Sequence, residues 1–316
     1  MHPISVNAPV DDGARRARLF AGELFLYTPN AATTALVDLA RSLLEEAFAP
    51  HDPVTAQYEM PVEEYAAIYA RVKPAFIHHE KAPGLIRDIL EEVGCDLDET
   101  YQDKPRMRVN TAHGYLRSGA AYALHPHRDT WYSAPMAQVN WWLPIYEFSS
   151  ESGMSFHLNY WDRAVENESE TFNYYEWNAV GRMEAAKHVK SDTRKQPHAT
   201  EELALDPQVS VVCEPGSLLI FSAAHLHSTT PNTTHRARFS ADFRTVNRTD
   251  LEQGRSAPNL DSHCTGTSLR DFRRFSDGAG VPEDLVARYD SGSVDGLLVF
   301  DAESAARALG QPDPAR

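Results

Sequence analysis

Apolar positions in the first third of the chain recur at three- and four-residue spacing. Leu36, Leu39, Ala40, Leu43, Leu44 and Ala47 share one helical face with charged residues between them, and Thr33 or Thr34 stands where an N-terminal cap is needed. Pro61 opens a second helical pattern, carried by Tyr65, Ile68, Tyr69 and Val72 and expected to stop near Pro74. A third runs from Leu85 to Val93 and ends at Gly94, a residue free to take the left-handed conformation that closes helices. These three helices read as one packed layer. The short segment before them is expected to be disordered.

After Asp103 the period shortens. Residues 105–110, 137–145 and 210–223 read as strands bounded by Gly, Pro, Asn and Ser. The run that ends at Val246 has the period-two alternation of a strand, with Arg238, Ser240, Asp242 and Arg244 on one face and Phe239, Ala241 and Phe243 on the other. A polar, aromatic stretch near 159–207 interrupts the strands, with a helix expected around Arg182 to Val189. Ser268 to Gly278 and the residues after Pro282 predict two further short helices. No repeat and no Ser/Gly/Pro-rich linker divides the 316 residues. The pattern therefore predicts one domain over 1–316, mainly β with helical additions. Its β core covers about 105–246, with the insertion near 159–207 and a C-terminal extension.

Charge narrows the partners. With 30 Lys and Arg against 45 Asp and Glu, the formal charge is -15, which excludes broad neutralisation of nucleic-acid phosphates but not a small anion held by one or two local cations. No apolar run reaches the length needed to cross a bilayer. Cys95, Cys213 and Cys264 are too few and too scattered for a disulfide framework or a thiolate metal cluster. The first twenty residues lack the apolar core of a signal peptide, so a cytoplasmic location is expected. The pattern does not choose between monomer and homodimer.

Two separated segments carry the candidate chemistry. In HPHRDTW, His127 and Asp129 project from one face if the segment enters a strand. Farther on, His227 follows an apolar strand and precedes Arg238 by eleven residues. Together His127, Asp129 and His227 supply the two-His, one-carboxylate face of non-haem Fe(II) oxygenases. Zinc can take the same three ligands; the Arg-x-Ser at Arg238 to Ser240 favours iron with an organic acid. His225 stands eleven residues before Arg236 and duplicates the spacing, so periodicity alone leaves both histidines open.

The combination His127-Arg128-Asp129, Pro215-Gly216-Ser217, His227-Ser228, Asn232-Thr233-Thr234 and Arg238-Phe239-Ser240 resembles the Fe(II)/2-oxoglutarate-dependent oxygenases, in particular their phytanoyl-CoA-dioxygenase-like branch. The resemblance implies a double-stranded β-helix (a cupin-like jelly roll) that uses Fe(II), 2-oxoglutarate and O2. It selects His227 over His225 as the second histidine ligand. It also implies that Arg238 holds the far carboxylate of 2-oxoglutarate, with Ser240 adding a bond. The likeness weakens at SGMSFHLNYWDRAV, which lacks the Pro-Gly-Ser-His-like turn of related chains.

The implied reaction couples decarboxylation of 2-oxoglutarate, which yields succinate and CO2, to hydroxylation of an unactivated carbon in a small polar or acidic metabolite or natural-product intermediate. Retention of Asp129 favours hydroxylation over halogenation, whereas desaturation and cyclisation use the same ligands. Gln138 and Asn140 share a strand face and are candidates for contact with 2-oxoglutarate. Trp131, Trp142, His157, Asn159 and Arg163 are candidates for contact with substrate, against the plain alternatives of packing and local loop bonds. Glu184 and His188 share a helical face but lack a third ligand nearby. A metal-dependent binding or sensor protein without turnover is the competing reading, and zinc hydrolysis a third.

Overall fold

A computed structural model of the chain describes residues 3–116, 125–181, 194 and 196–290. The helix expected around Arg182 to Val189, with Glu184 and His188, lies outside the described residues. Eight strands form the larger of two sheets: β1 (Ile4–Val6), β2 (Leu24–Tyr27), β3 (Thr100–Gln102), β4 (Arg106–Asn110), β5 (Val139–Pro144), β8 (Leu218–Ser222), β10 (Arg238–Asn247) and β11 (Arg273–Arg274). They run in the order β1-β2-β8-β5-β10-β3-β11, with β4 beside the first half of β10. The smaller sheet is β7 (Val209–Val211), β6 (Met154–Phe156) and β9 (His227–Thr229), paired in that order. The expected strand over 210–223 is thus two strands in different sheets. The chain leaves one for the other through a turn at Gly216, whose φ of 82° favours a residue without Cβ.

Alternation along the strands decides which face each residue takes. Val139, Trp141 and Leu143 of β5, Leu218 and Ile220 of β8 and Phe239, Ala241 and Phe243 of β10 join one cluster with Leu36, Leu44, Tyr65, Phe76 and Ile89 of the helical layer. The opposite face carries Trp142, Leu219 and Phe221, which pack on Met154, Phe156 and Val211 of the small sheet. Two sheets facing each other across a shared core, without closing into a barrel, make the double-stranded β-helix expected from the sequence. Between them, the inner face of β10 presents Arg238, Ser240 and Asp242 directly opposite Asn110, Arg108 and Arg106 of β4.

The helical layer is α1 (Asp12–Leu19), α2 (Ala31–Phe48), α3 (Val62–Ile77) and α4 (Ala82–Glu92). The cap of α2 is Asn30 rather than a threonine. Its side chain accepts from the Thr33 N–H at 2.9 Å, and Thr33 Oγ1 accepts from the Asn30 N–H at 3.0 Å, so Thr33 completes a reciprocal box. Pro74 lies inside α3 because burial of Phe76 draws the last turn past it. Gly94 follows α4 with the expected positive φ. The N-terminal segment is ordered from its first strand: β1 pairs in parallel with β2 and extends the large sheet, and Asp11 caps α1. Ser268 to Gly278 forms no long helix. A short turn over Ser268–Asp271 gives way to β11, because Arg273 and Arg274 add a strand to β3. The helix after Pro282 is present as Glu283–Ala287. No helix among the described residues is long and apolar enough to cross a membrane.

Between α1 and β2, Gly22 has φ 94°, and a Cβ there would lie 2.7 Å from the Trp161 ring. Trp161 in turn lies on His225, with ring centroids 4.4 Å apart. Strained backbone and overpacking act together, so Gly22→Ala is expected to cost roughly 2–4 kcal/mol. Thermal unfolding of the variant, compared with Gly84→Ala where a Cβ meets nothing, checks it.

Candidate metal centre

β8 lies in the large sheet and β9 in the small one, and residues 223–226 carry the chain across. At the far side of that crossing His227 meets His127. Each residue's N–H donates to the other's carbonyl at 2.9 Å, so the two are a directly opposed antiparallel pair. Directly opposed residues send their side chains to the same face. The imidazole centroids are 4.3 Å apart. Beyond this single bridge the segment is not a strand: Asp129 begins a tight turn over Asp129–Tyr132, which ends at Ser133 with φ 61°. The turn returns the Asp129 carboxylate toward the rings, with Oδ1 3.5 Å from His127 Nε2. One ligand atom from each of His127, Asp129 and His227 lies within 4.8 Å of the others.

Hydrogen bonds set the state of each donor. Nδ1 of His127 lies 3.0 Å from the carbonyl of His125, and Nδ1 of His227 lies 3.0 Å from the carbonyl of His225. A carbonyl only accepts, so both Nδ1 atoms carry a proton, and in each ring Nε2 is the atom left to meet a metal. Asp129 Oδ2 accepts from Asn140 Nδ2 at 2.6 Å, and Asn140 Oδ1 accepts from Gln138 Nε2 at 2.9 Å. The anion at the end of this relay orients both amides. It leaves Gln138 Oε1 a buried acceptor with no partner among the described residues. Burial acts to raise the pKa of Asp129, but His127, His227 and the Arg108 cation together hold it well below the ordinary carboxylate value.

Farther along the inner face, Arg238 is buried beside Ser240, which is fully enclosed. Its Nη1 donates to Ser240 Oγ at 2.7 Å and its Nε to the Ser152 carbonyl at 3.1 Å, with Trp142 beneath the guanidinium at 5.7 Å. Burial lowers its pKa to about 10, which still leaves it charged at neutral pH. Among the described residues it makes no ion pair. Arg108, by contrast, grips Asp242 with two bonds of 2.7 and 3.2 Å.

The remaining candidates from the sequence separate. Gln138 and Asn140 support Asp129. Trp142 lies under Arg238. Trp131 is fully buried within the turn, and its indole donates to Asp261 at 2.8 Å. His157 is buried just after β6, with Nε2 2.9 Å from Ser228 Oγ. Asn159 bonds the Ala204 carbonyl, and Arg163, largely exposed, pairs with Glu201 over the Tyr160 ring. The ring of His225 faces the carbonyls of Ser222 and Gly22 and takes no part in the triad. Sequence reasoning missed Asp261, which lies 133 residues beyond its partner Arg128. A single acidic residue after the last core strand leaves no periodic or motif signal.

Burial lowers the pKa of His225 to about 4 and that of His227 to about 3, against about 6.5 in an unfolded chain. The unfolded state therefore takes up protons that the folded state refuses, and stability falls as pH drops through that window. Calorimetry of the metal-free protein should show a melting temperature that declines from about pH 6.5 to 5, above the carboxylate range. A flat profile would contradict burial of these rings in the neutral form.

Comparison with known proteins adds the family. No curated protein matches the chain. Among solved structures, the chain is similar to EvdO2 from Micromonospora carbonacea var. aurantiaca complexed with 2-oxoglutarate, with 12% identity over 76% of this chain and 92% of that one and a TM-score of 0.42. It is also similar to the non-heme alpha ketoglutarate dependent carbocyclase SnoK from nogalamycin biosynthesis (12% identity, 80% and 93% covered, TM-score 0.39). A third is EctD from S. alaskensis with bound Fe (13% identity, 87% of each chain covered, TM-score 0.38). The sequence model for phytanoyl-CoA dioxygenase (PhyH) matches residues 26–240, a span that takes in His127, Asp129, His227, Arg238 and Ser240. With most of its length and the whole triad inside that match, the chain belongs to the phytanoyl-CoA dioxygenase (PhyH) family.

Proposed function

We propose that the protein is an Fe(II)- and 2-oxoglutarate-dependent oxygenase that hydroxylates a small polar or acidic molecule. The observation that carries this reading is the pairing of two features between the sheets: a His-Asp-His donor set at the edge of the small sheet and, on β10 of the large one, a buried guanidinium without an anion of its own among the described residues. Two imidazole nitrogens and one carboxylate suit Fe(II) and leave positions free for a chelating cosubstrate and O2. Arg238 suits the far carboxylate of a diacid.

His127, Asp129 and His227 would hold the metal, with Asn140 and Gln138 keeping the carboxylate turned toward it. Arg238 would grip the distal carboxylate of 2-oxoglutarate. Ser240 already accepts from Nη1, which fixes the plane of the fork and leaves its own hydroxyl proton to donate. Trp142 walls this end against water and strengthens the charge pairing. Iron with 2-oxoglutarate bound supplies the oxidation of an unactivated carbon, with release of succinate and CO2. The retained Asp129 supports hydroxylation as the outcome. The formal charge of -15 argues against a nucleic-acid substrate, and the three free cysteines accord with a cytoplasmic setting.

Anaerobic addition of Fe(II) and then 2-oxoglutarate should produce a weak visible charge-transfer band. His227→Ala should abolish it. Arg238→Ala should keep metal binding but weaken 2-oxoglutarate by about ten- to a thousandfold, the loss of a buried charge-assisted pair. Substrate-stimulated succinate release separates an oxygenase from a binding protein. Folded wild-type protein that gives neither band nor succinate would refute the assignment.

A further inference from the structure

The turn that presents Asp129 is held from behind by a residue outside the family match. Arg128, between two of the triad residues, is buried, and its guanidinium bonds residues outside the triad. Its Nε donates to Asp261 Oδ2 at 3.0 Å, its Nη2 to the carbonyls of Tyr160 and Arg163 at 2.7 and 2.9 Å, and its Nη1 to the carbonyl of Ala224. Ala224 belongs to the crossing that leads to His227, so one guanidinium ties the Asp129 turn to the approach of the second histidine.

Asp261 completes the brace. Its Oδ1 accepts from the Trp131 indole at 2.8 Å, and its Oδ2 also accepts from the Val165 N–H at 3.0 Å. The carboxylate thus grips residues on both sides of Asp129. The segment adds a further clasp through Ser262, whose hydroxyl donates to the Thr130 carbonyl at 2.5 Å. Every residue from Arg128 to Trp131 except Asp129 itself is bonded to this C-terminal segment.

We propose that Asp261 is a positioning residue for the metal centre, fixing through Arg128 and Trp131 the turn that aims the Asp129 carboxylate at the two imidazoles. The inference rests on the metal reading above and deepens it. The C-terminal extension thereby acquires a role, since a residue beyond 240 sets the geometry of a ligand that lies within the family match.

Co(II), whose visible bands report ligand geometry, serves as the probe. Full-length wild type, Asp261→Asn, Trp131→Phe and Asp250→Asn are titrated with Co(II), and each metal-free form is melted. Asp250 is the control, a second buried aspartate paired with Arg16 and Arg255. Asp261→Asn is expected to bind Co(II) about ten- to a hundredfold more weakly, the usual loss for a residue supporting a metal ligand, with altered bands. Trp131→Phe should show a smaller loss in the same direction. Asp250→Asn should melt lower yet bind Co(II) as wild type does.

Wild-type affinity and bands in both Asp261→Asn and Trp131→Phe would overturn the proposal. So would a loss of affinity in Asp250→Asn that matches the loss in Asp261→Asn, because the effect would then follow stability alone. If Asp261→Asn does not fold, Trp131→Phe decides between the same outcomes. Wild type that binds no Co(II) would overturn the metal reading beneath the proposal, a result distinct from any difference between variants.

Discussion

The site depends on the reciprocal backbone bonds between His127 and His227. These join a segment before β5 to one that has just left β8, and they put two imidazoles a hundred residues apart onto one face. Backbone pairing of this kind fixes Cα separation and side-chain direction together. Only the ring rotation and the proton remain to be set, and the carbonyl two residues before each histidine sets both. The same short pattern, His-x-His, is thus used twice. In each case the first histidine contributes its carbonyl and the second its ring.

What could be read from the sequence follows from the length of each signal. β10 runs for ten residues and alternates from Arg238 to Arg244, so its two faces were plain there. The three long helices carried enough turns for their buried sides to show. β6 and β9 have three residues each, too few for a period to emerge. The strand expected over 210–223 holds two apolar runs, 211–213 and 218–221, and the turn residues Glu214, Pro215, Gly216 and Ser217 between them mark its division between two sheets. The triad was legible because separations of two and a hundred residues with an Arg-x-Ser beyond them form a compound pattern. Its local conformation was not: a bridge followed by a tight turn and a continuous strand both bring residues i and i+2 together. Substrate candidates fared differently, since an aromatic or polar residue near a motif has no spacing that distinguishes a wall from a brace. Trp131 is the clear example.

Charge is distributed with the same economy. A chain with a formal charge of -15 keeps Arg238 buried and unpaired among its described residues, while Arg108 one strand away is neutralised by Asp242. An uncompensated buried cation is costly unless something anionic arrives to meet it. The enclosed Ser240, the Ser152 carbonyl and the Trp142 ring direct that demand toward one place.

The placement of the three ligands also bears on motion. His127 and His227 extend the small sheet, whereas Asp129 is moored through Asn140 to β5 of the large one. An ion bound by all three would span the seam between the sheets like a rivet, adding to the packing and hydrogen bonds that already join them. Affinity for the ion and cohesion of the sandwich would then be two expressions of one equilibrium.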